Sequence, residues 1–82
     1  MDMAAQITKV LDSVSQIPVK DRHDILELLS HNEWGVAFEV LCSAIEQQNI
    51  HVRSEQYSDI ADTGKIMKMD HNLWLNIKQI SD

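Results

Sequence analysis

Between residues 24 and 62 the chain carries eight carboxylates, Asp24, Glu27, Glu33, Glu39, Glu46, Glu55, Asp59 and Asp62, against one basic side chain, Arg53. Acid groups in such density can pass protons as a pair, hold a metal ion, or attract a positively charged surface. Proton transfer needs two carboxylates in unlike environments converging on a pocket. Asp24 and Glu27, one helical turn apart, come nearest to a pair, and their spacing is that of a solvated helix face. A metal would call on the histidines, but His23, His31, His51 and His71 are scattered, without close pairing on one helical face and without cysteine partners. They read as exposed or capping residues. Cys42, on the helical net between Glu39 and Glu46 beside Ser43, reads as a small packed residue rather than a nucleophile. No glycine-rich phosphate loop is present, so the expectation is no catalysis, no metal and no cofactor. Attraction remains: a negative face that speeds and orients the docking of a cationic protein. A merely solubilising surface is the plainer reading of the same charges.

The bulk properties narrow the field further. Eighty-two residues support one core and one domain, residues 1–82. With 44% hydrophobic and 24% charged residues the composition is that of an ordinary globular chain. A net charge of −6 repels nucleic-acid backbones and favours basic partners. One cysteine cannot close an internal disulfide, which points to a reducing compartment, the cytoplasm. The start MDMAAQITKV has neither the basic segment nor the apolar block of a signal peptide, and no apolar run is long enough to span a membrane.

Apolar spacing predicts an all-α bundle of about five short helices that must position these charges. Met3, Ile7, Val10, Leu11 and Val14 stripe a first helix over Asp2 to Gln16. Pro18 forces a turn at Ile17. A second helix, from Val19 or Asp21 to Ser30, turns Ile25, Leu28 and Leu29 inward with Leu26 at the edge. The short link at His31 and Asn32 makes a hairpin with the third helix, within HNEWGVAFEVLCSAIEQQNI. There Asn32 is expected to cap, Trp34, Ala37, Phe38, Leu41, Ala44 and Ile45 to be buried, and Glu39 and Glu46 to face water. Asn49 suits a left-handed helix end, and an extended loop follows in which Ile50 and Val52 plug the core. Ser54 is the expected cap of a fourth helix reaching Met69, with Tyr57, Ile60, Ala61, Gly64 and Met67 on its inner face. Gly64 marks either close packing or an early end. Asp70 caps a last helix whose stripe is Leu73, Trp74, Ile77 and Ile80. Both tryptophans are expected in the core.

From Asp21 to Ile80 the chain resembles the small helical immunity proteins of the MafI type, encoded beside polymorphic bacterial toxins that include those of contact-dependent growth inhibition. The features that carry the resemblance are the helix EWGVAFEVL, which fits E-W-G/A-x-A-[aliphatic or aromatic]-E-x-L, and the following IHVRSEQY. The first helix lies outside it. The resemblance implies a cytoplasmic protein that binds one cognate toxin domain, one to one, and covers its active site or substrate surface. A basic nuclease is the expected toxin, a ribonuclease ahead of a deoxyribonuclease. Contact residues in such proteins vary with the toxin, so Glu27, Glu33, Glu39, Glu46 and Asp59 are chosen on charge and exposure. The competing readings are an acidic adaptor or a carrier protein, although Asp12 and Ser13 fall inside the first helix rather than at the start of a mid-chain one. A helix-turn-helix regulator is disfavoured by acid on its would-be recognition helix.

Overall fold

Pro18 sets the first corner of the chain, and the ends of the helices set the others. The computed structural model describes residues Asp2 to Ile80. It contains α1 (Met3–Ser13), α2 (Val19–Ser30), α3 (Trp34–Gln47), α4 (Ser54–Ile66) and a single turn, α5 (Asn72–Leu75). No β-strand occurs among these residues. The expected all-α single bundle is what forms. None of the helices is long and apolar enough to cross a membrane.

The first helix starts at an aspartate cap, with the Ala5 amide donating to Asp2 Oδ1 at 3.1 Å. It ends at Ser13, short of the expected Gln16, because its last carbonyls are taken by other helices. Arg22 Nη2 on α2 donates to the Leu11 carbonyl at 3.0 Å, and Gln56 Nε2 on α4 donates to the Ser13 carbonyl at 2.6 Å. Val14 and Ile17 then turn inward and are buried.

Helices α2, α3 and α4 all end by one device. In each, a non-glycine residue takes positive φ just past the helix, at Asn32 (60°), Asn49 (52°) and Lys68 (57°). The next amide then reaches back five residues: Glu33 to the Leu28 carbonyl at 2.9 Å, Ile50 to Ile45 at 3.0 Å and Met69 to Gly64 at 2.9 Å. These are Schellman turns, which satisfy carbonyls the helix leaves open. Asn32 therefore closes α2 instead of capping α3, whose flanking residue is Glu33, with no side-chain cap. Likewise α4 stops at Ile66 rather than Met69. Arg53, not Ser54, precedes it, and Gln56 Oε1 accepts from the Arg53 amide at 2.7 Å.

The core is continuous from α1 through α3 to the C-terminal segment, with Ile7, Leu11, Ile25, Phe38, Leu41, Ile45, Val52 and Ile60 fully enclosed. Helices α2 and α3 pack as the expected hairpin, and α1 lies across α3 and carries α4. Trp74 closes the structure. Its indole is buried, lies edge-on to Phe38 with centroids 6.0 Å apart at 70°, and rests on the bare backbone of Gly64. Close packing is thus the reason for that glycine.

Two further expectations are corrected. The last helix is one turn long, and residues 77–80 run extended beside Val52, joined by Val52 N to Lys78 O at 2.9 Å and Ile80 N to Val52 O at 2.7 Å. Ile80 is half-exposed as a result. Trp34, first residue of α3, overhangs the end of the hairpin and is 39% exposed. Cys42, on the helical net between exposed Glu39 and Glu46, is buried in the core as the packed residue expected.

A Cβ on Gly64 would stand 2.1 Å from Trp74 Cζ3. Gly64→Ala is expected to lower stability by about 1–3 kcal/mol through overpacking, read as a lower urea midpoint. Lys68→Gly, relieving a left-handed residue on the surface, should raise stability by about 0.5–1 kcal/mol in the same assay.

Candidate acidic docking site

The hairpin of α2 and α3 brings part of the acid run to one place. A cleft of about 390 Å³ is lined by Asp24, Glu27 and Leu28 of α2, His31 of the turn, Glu33 just before α3, and Val40 of α3. Half-buried Leu28 and Val40 make an apolar floor, and Glu27 and Glu33 stand exposed on the rim. The Schellman turn at Asn32 holds the two rims in register, because the Glu33 amide is bonded back to Leu28 within the cleft wall. Asp24 pairs with Lys20 at 3.4 Å, but both side chains are well exposed, so the pair is weak.

The five carboxylates expected to act together do not share one face. Glu27 and Glu33 meet in the cleft. Glu39 lies on the outward stripe of α3, and Glu46 lines a separate cleft with Asn49, Asn76 and Lys78. Asp59 sits on α4, which packs chiefly on α1, and faces Lys9 at 4.0 Å. Elsewhere the acid is partly answered within the fold: Asp12 pairs with Arg22 at 2.9 Å and Glu55 with Arg53 at 3.0 Å. Among the described residues neither Glu27 nor Glu33 has a basic side chain within ion-pair distance.

Two polar residues that apolar spacing did not flag are buried, Gln56 and Thr63. Thr63 Oγ1 donates to the Asp59 carbonyl at 2.7 Å and accepts from Gln6 Nε2 at 3.2 Å. With the Gln56 bond to Ser13, these tie α4 to α1 and hold Asp59 away from the hairpin. A glutamine at the third position of a helix was the one available sign.

The other groups with chemical potential are dispersed among the described residues. His23, His31, His51 and His71 are exposed on separate elements. No three His, Cys, Asp or Glu side chains among the described residues are grouped to hold a metal ion. Ser13 ends α1 with its hydroxyl donating to the Val10 carbonyl at 2.7 Å, far from the helix-start position a carrier serine would need. Cys42 is enclosed, and burial, reinforced by the charge of Glu46, pushes its thiol up to about 12. Comparison with protein-family profiles, curated proteins and solved structures yields no match to this chain.

Two outcomes follow for Cys42. A disulfide reagent should leave the native thiol unmodified and label it only in concentrated guanidinium. An unfolded thiol ionises near its ordinary 9.0 and the folded one near 12, so the folded state holds the extra proton between these values. The thiol's contribution to stability is therefore whole below pH 9.0 and is lost as pH rises towards 12. Denaturation of Cys42→Ala across that window should show a shallower decline than the parent chain.

Proposed function

We propose that this chain is an immunity protein that captures the cationic domain of a bacterial toxin, a basic nuclease, one to one in the cytoplasm. It blocks that domain by covering its active site or substrate surface and performs no chemistry itself. The observation that carries the reading is the cleft in which Glu27 and Glu33 stand together without internal partners, on a hairpin whose turn is fixed by backbone bonds. Carboxylates so placed attract lysines and arginines at long range and meet them without prior rearrangement. A nuclease must present such cations to hold phosphates, so an acidic rigid surface competes with its substrate for the same groups.

The resemblance supplies the class of partner. Its EWGVAFEVL segment forms the start of α3, with Glu33 at the cleft, and its IHVRSEQY segment forms the loop and first turn of α4. The net charge of −6 supports the same direction of attraction.

Co-expression with the toxin domain encoded beside this chain tests the proposal. The wild-type chain should restore growth and co-purify with that domain. Glu27→Lys with Glu33→Lys should weaken association by about tenfold or more at low salt, less at high salt, whereas Asp59→Lys should change it little. Growth arrest undiminished by the wild-type chain, or full protection by the double reversal, would contradict it.

A further inference from the structure

A second cleft is larger than the acidic one. A groove of about 550 Å³ opens where the starts of α1 and α3 meet the end of α4, with Met3, Trp34, Gly35, Ile66, Met67 and Met69 around it. Trp34 is 39% exposed and Ile66 50%, although both are residues that burial stabilises strongly. Methionine side chains adapt to irregular apolar shapes and are common at surfaces that receive a partner.

This groove and the acidic cleft are two sides of one turn. Asn32 lines the groove, while its chain neighbours His31 and Glu33 line the cleft. Neighbouring Cα atoms are about 3.8 Å apart, so one short segment of a partner can occupy the groove and reach Glu33 at the edge of the acidic cleft. Lys65 and Lys68 are exposed on the chain beside Ile66, Met67 and Met69 but line neither cleft. An incoming cationic segment is therefore drawn to the Glu33 side of the groove, away from the α4 end that carries these lysines. A second copy of this chain is a poor occupant, since it would bring another net charge of −6 against the same glutamates.

We infer that the groove receives a large apolar side chain, aromatic or long aliphatic, flanked by lysine or arginine on the cationic partner, and that this anchor supplies the main part of the affinity. The inference rests on the proposed capture of a cationic protein and adds the apolar half of the recognition. Carboxylates at a rim chiefly set the rate and direction of association, whereas a desolvated anchor sets the rate of release. Gly35 contributes to the capacity of the groove: a Cβ there would meet Met69 at 3.9 Å, in ordinary contact, and a longer side chain would extend into the space. Gly35→Leu thus fills the groove while improving the helix.

The test uses two synthetic peptides, Lys-Lys-Trp-Lys-Lys and Lys-Lys-Ala-Lys-Lys, titrated into the chain labelled at methionine methyl groups and backbone amides for NMR. The tryptophan peptide should shift the Met67 and Met69 methyls together with the Glu27 and Glu33 amides, at about tenfold lower concentration than the alanine peptide. Gly35→Leu and Ile66→Ser should each reduce that gain severalfold and leave the alanine peptide unaffected. Equal affinity for both peptides, with shifts confined to the glutamates, would overturn the anchor and leave capture standing. Binding of neither peptide would remove both. Methionine shifts that grow with protein concentration in the absence of peptide would show that a second copy fills the groove, and would overturn the inference.

Discussion

The seating of the Trp74 indole on Gly64 and against Phe38 is the contact on which the remaining geometry depends. It joins three elements far apart in sequence: the middle of α3, the last turn of α4 and the C-terminal segment. Removing a buried tryptophan side chain costs about 3–5 kcal/mol, a large part of the net stability of a domain this small. Because the ring fills the space where a Cβ would stand, α4 is held at a set distance. That distance fixes where its end, Ile66 to Met69, lies relative to Trp34 across the groove. The α5 turn and the extended pairing of residues 78–80 with Val52 follow from the same anchoring.

Helix ends do the rest of the positioning. With so little core, the chain cannot rely on long helices to hold its surface in place. Three Schellman turns and two borrowed carbonyls end the helices by hydrogen bonds to defined partners instead. The turn at Asn32 matters most for the proposed docking surface, because it brings Glu33 to the cleft that Glu27 also lines and leaves Trp34 at the groove. Acidic and apolar features are then presented side by side on a backbone with little freedom, which lowers the ordering cost that binding would otherwise carry.

The helices themselves were readable from apolar spacing, since burial of one stripe is the main term that orders each of them. Met3, Ile7, Val10 and Leu11 on α1, and Ala37, Phe38, Leu41 and Ile45 on α3, are buried as that spacing demands. What spacing could not resolve lay at the ends. Asn32 has a side chain suited to capping and a backbone suited to positive φ, and only the return bond from Glu33 decides between them. Trp34 continues the stripe of α3 on a helical net but stands one turn beyond the core that the stripe packs on. Cys42 lies at the edge of the same stripe, where a few degrees of helix rotation separate solvent from core. As for the acidic site, the charge run was visible in sequence, but its division was not. Asp59 is turned away by the Gln56 and Thr63 bonds between α4 and α1, which no local pattern specifies.

The proposed capture of one cationic partner depends on a turn that offers carboxylate and apolar surface side by side. Hydrogen exchange of the backbone, followed for the chain alone and in complex with the proposed toxin domain, tests this most directly. Protection concentrated at residues 27–36 and 66–69, with Ser43 to Gln47 and the α1 face of α4 unchanged, is the result this account predicts. Protection confined to those latter segments, or spread evenly over the molecule, would contradict it.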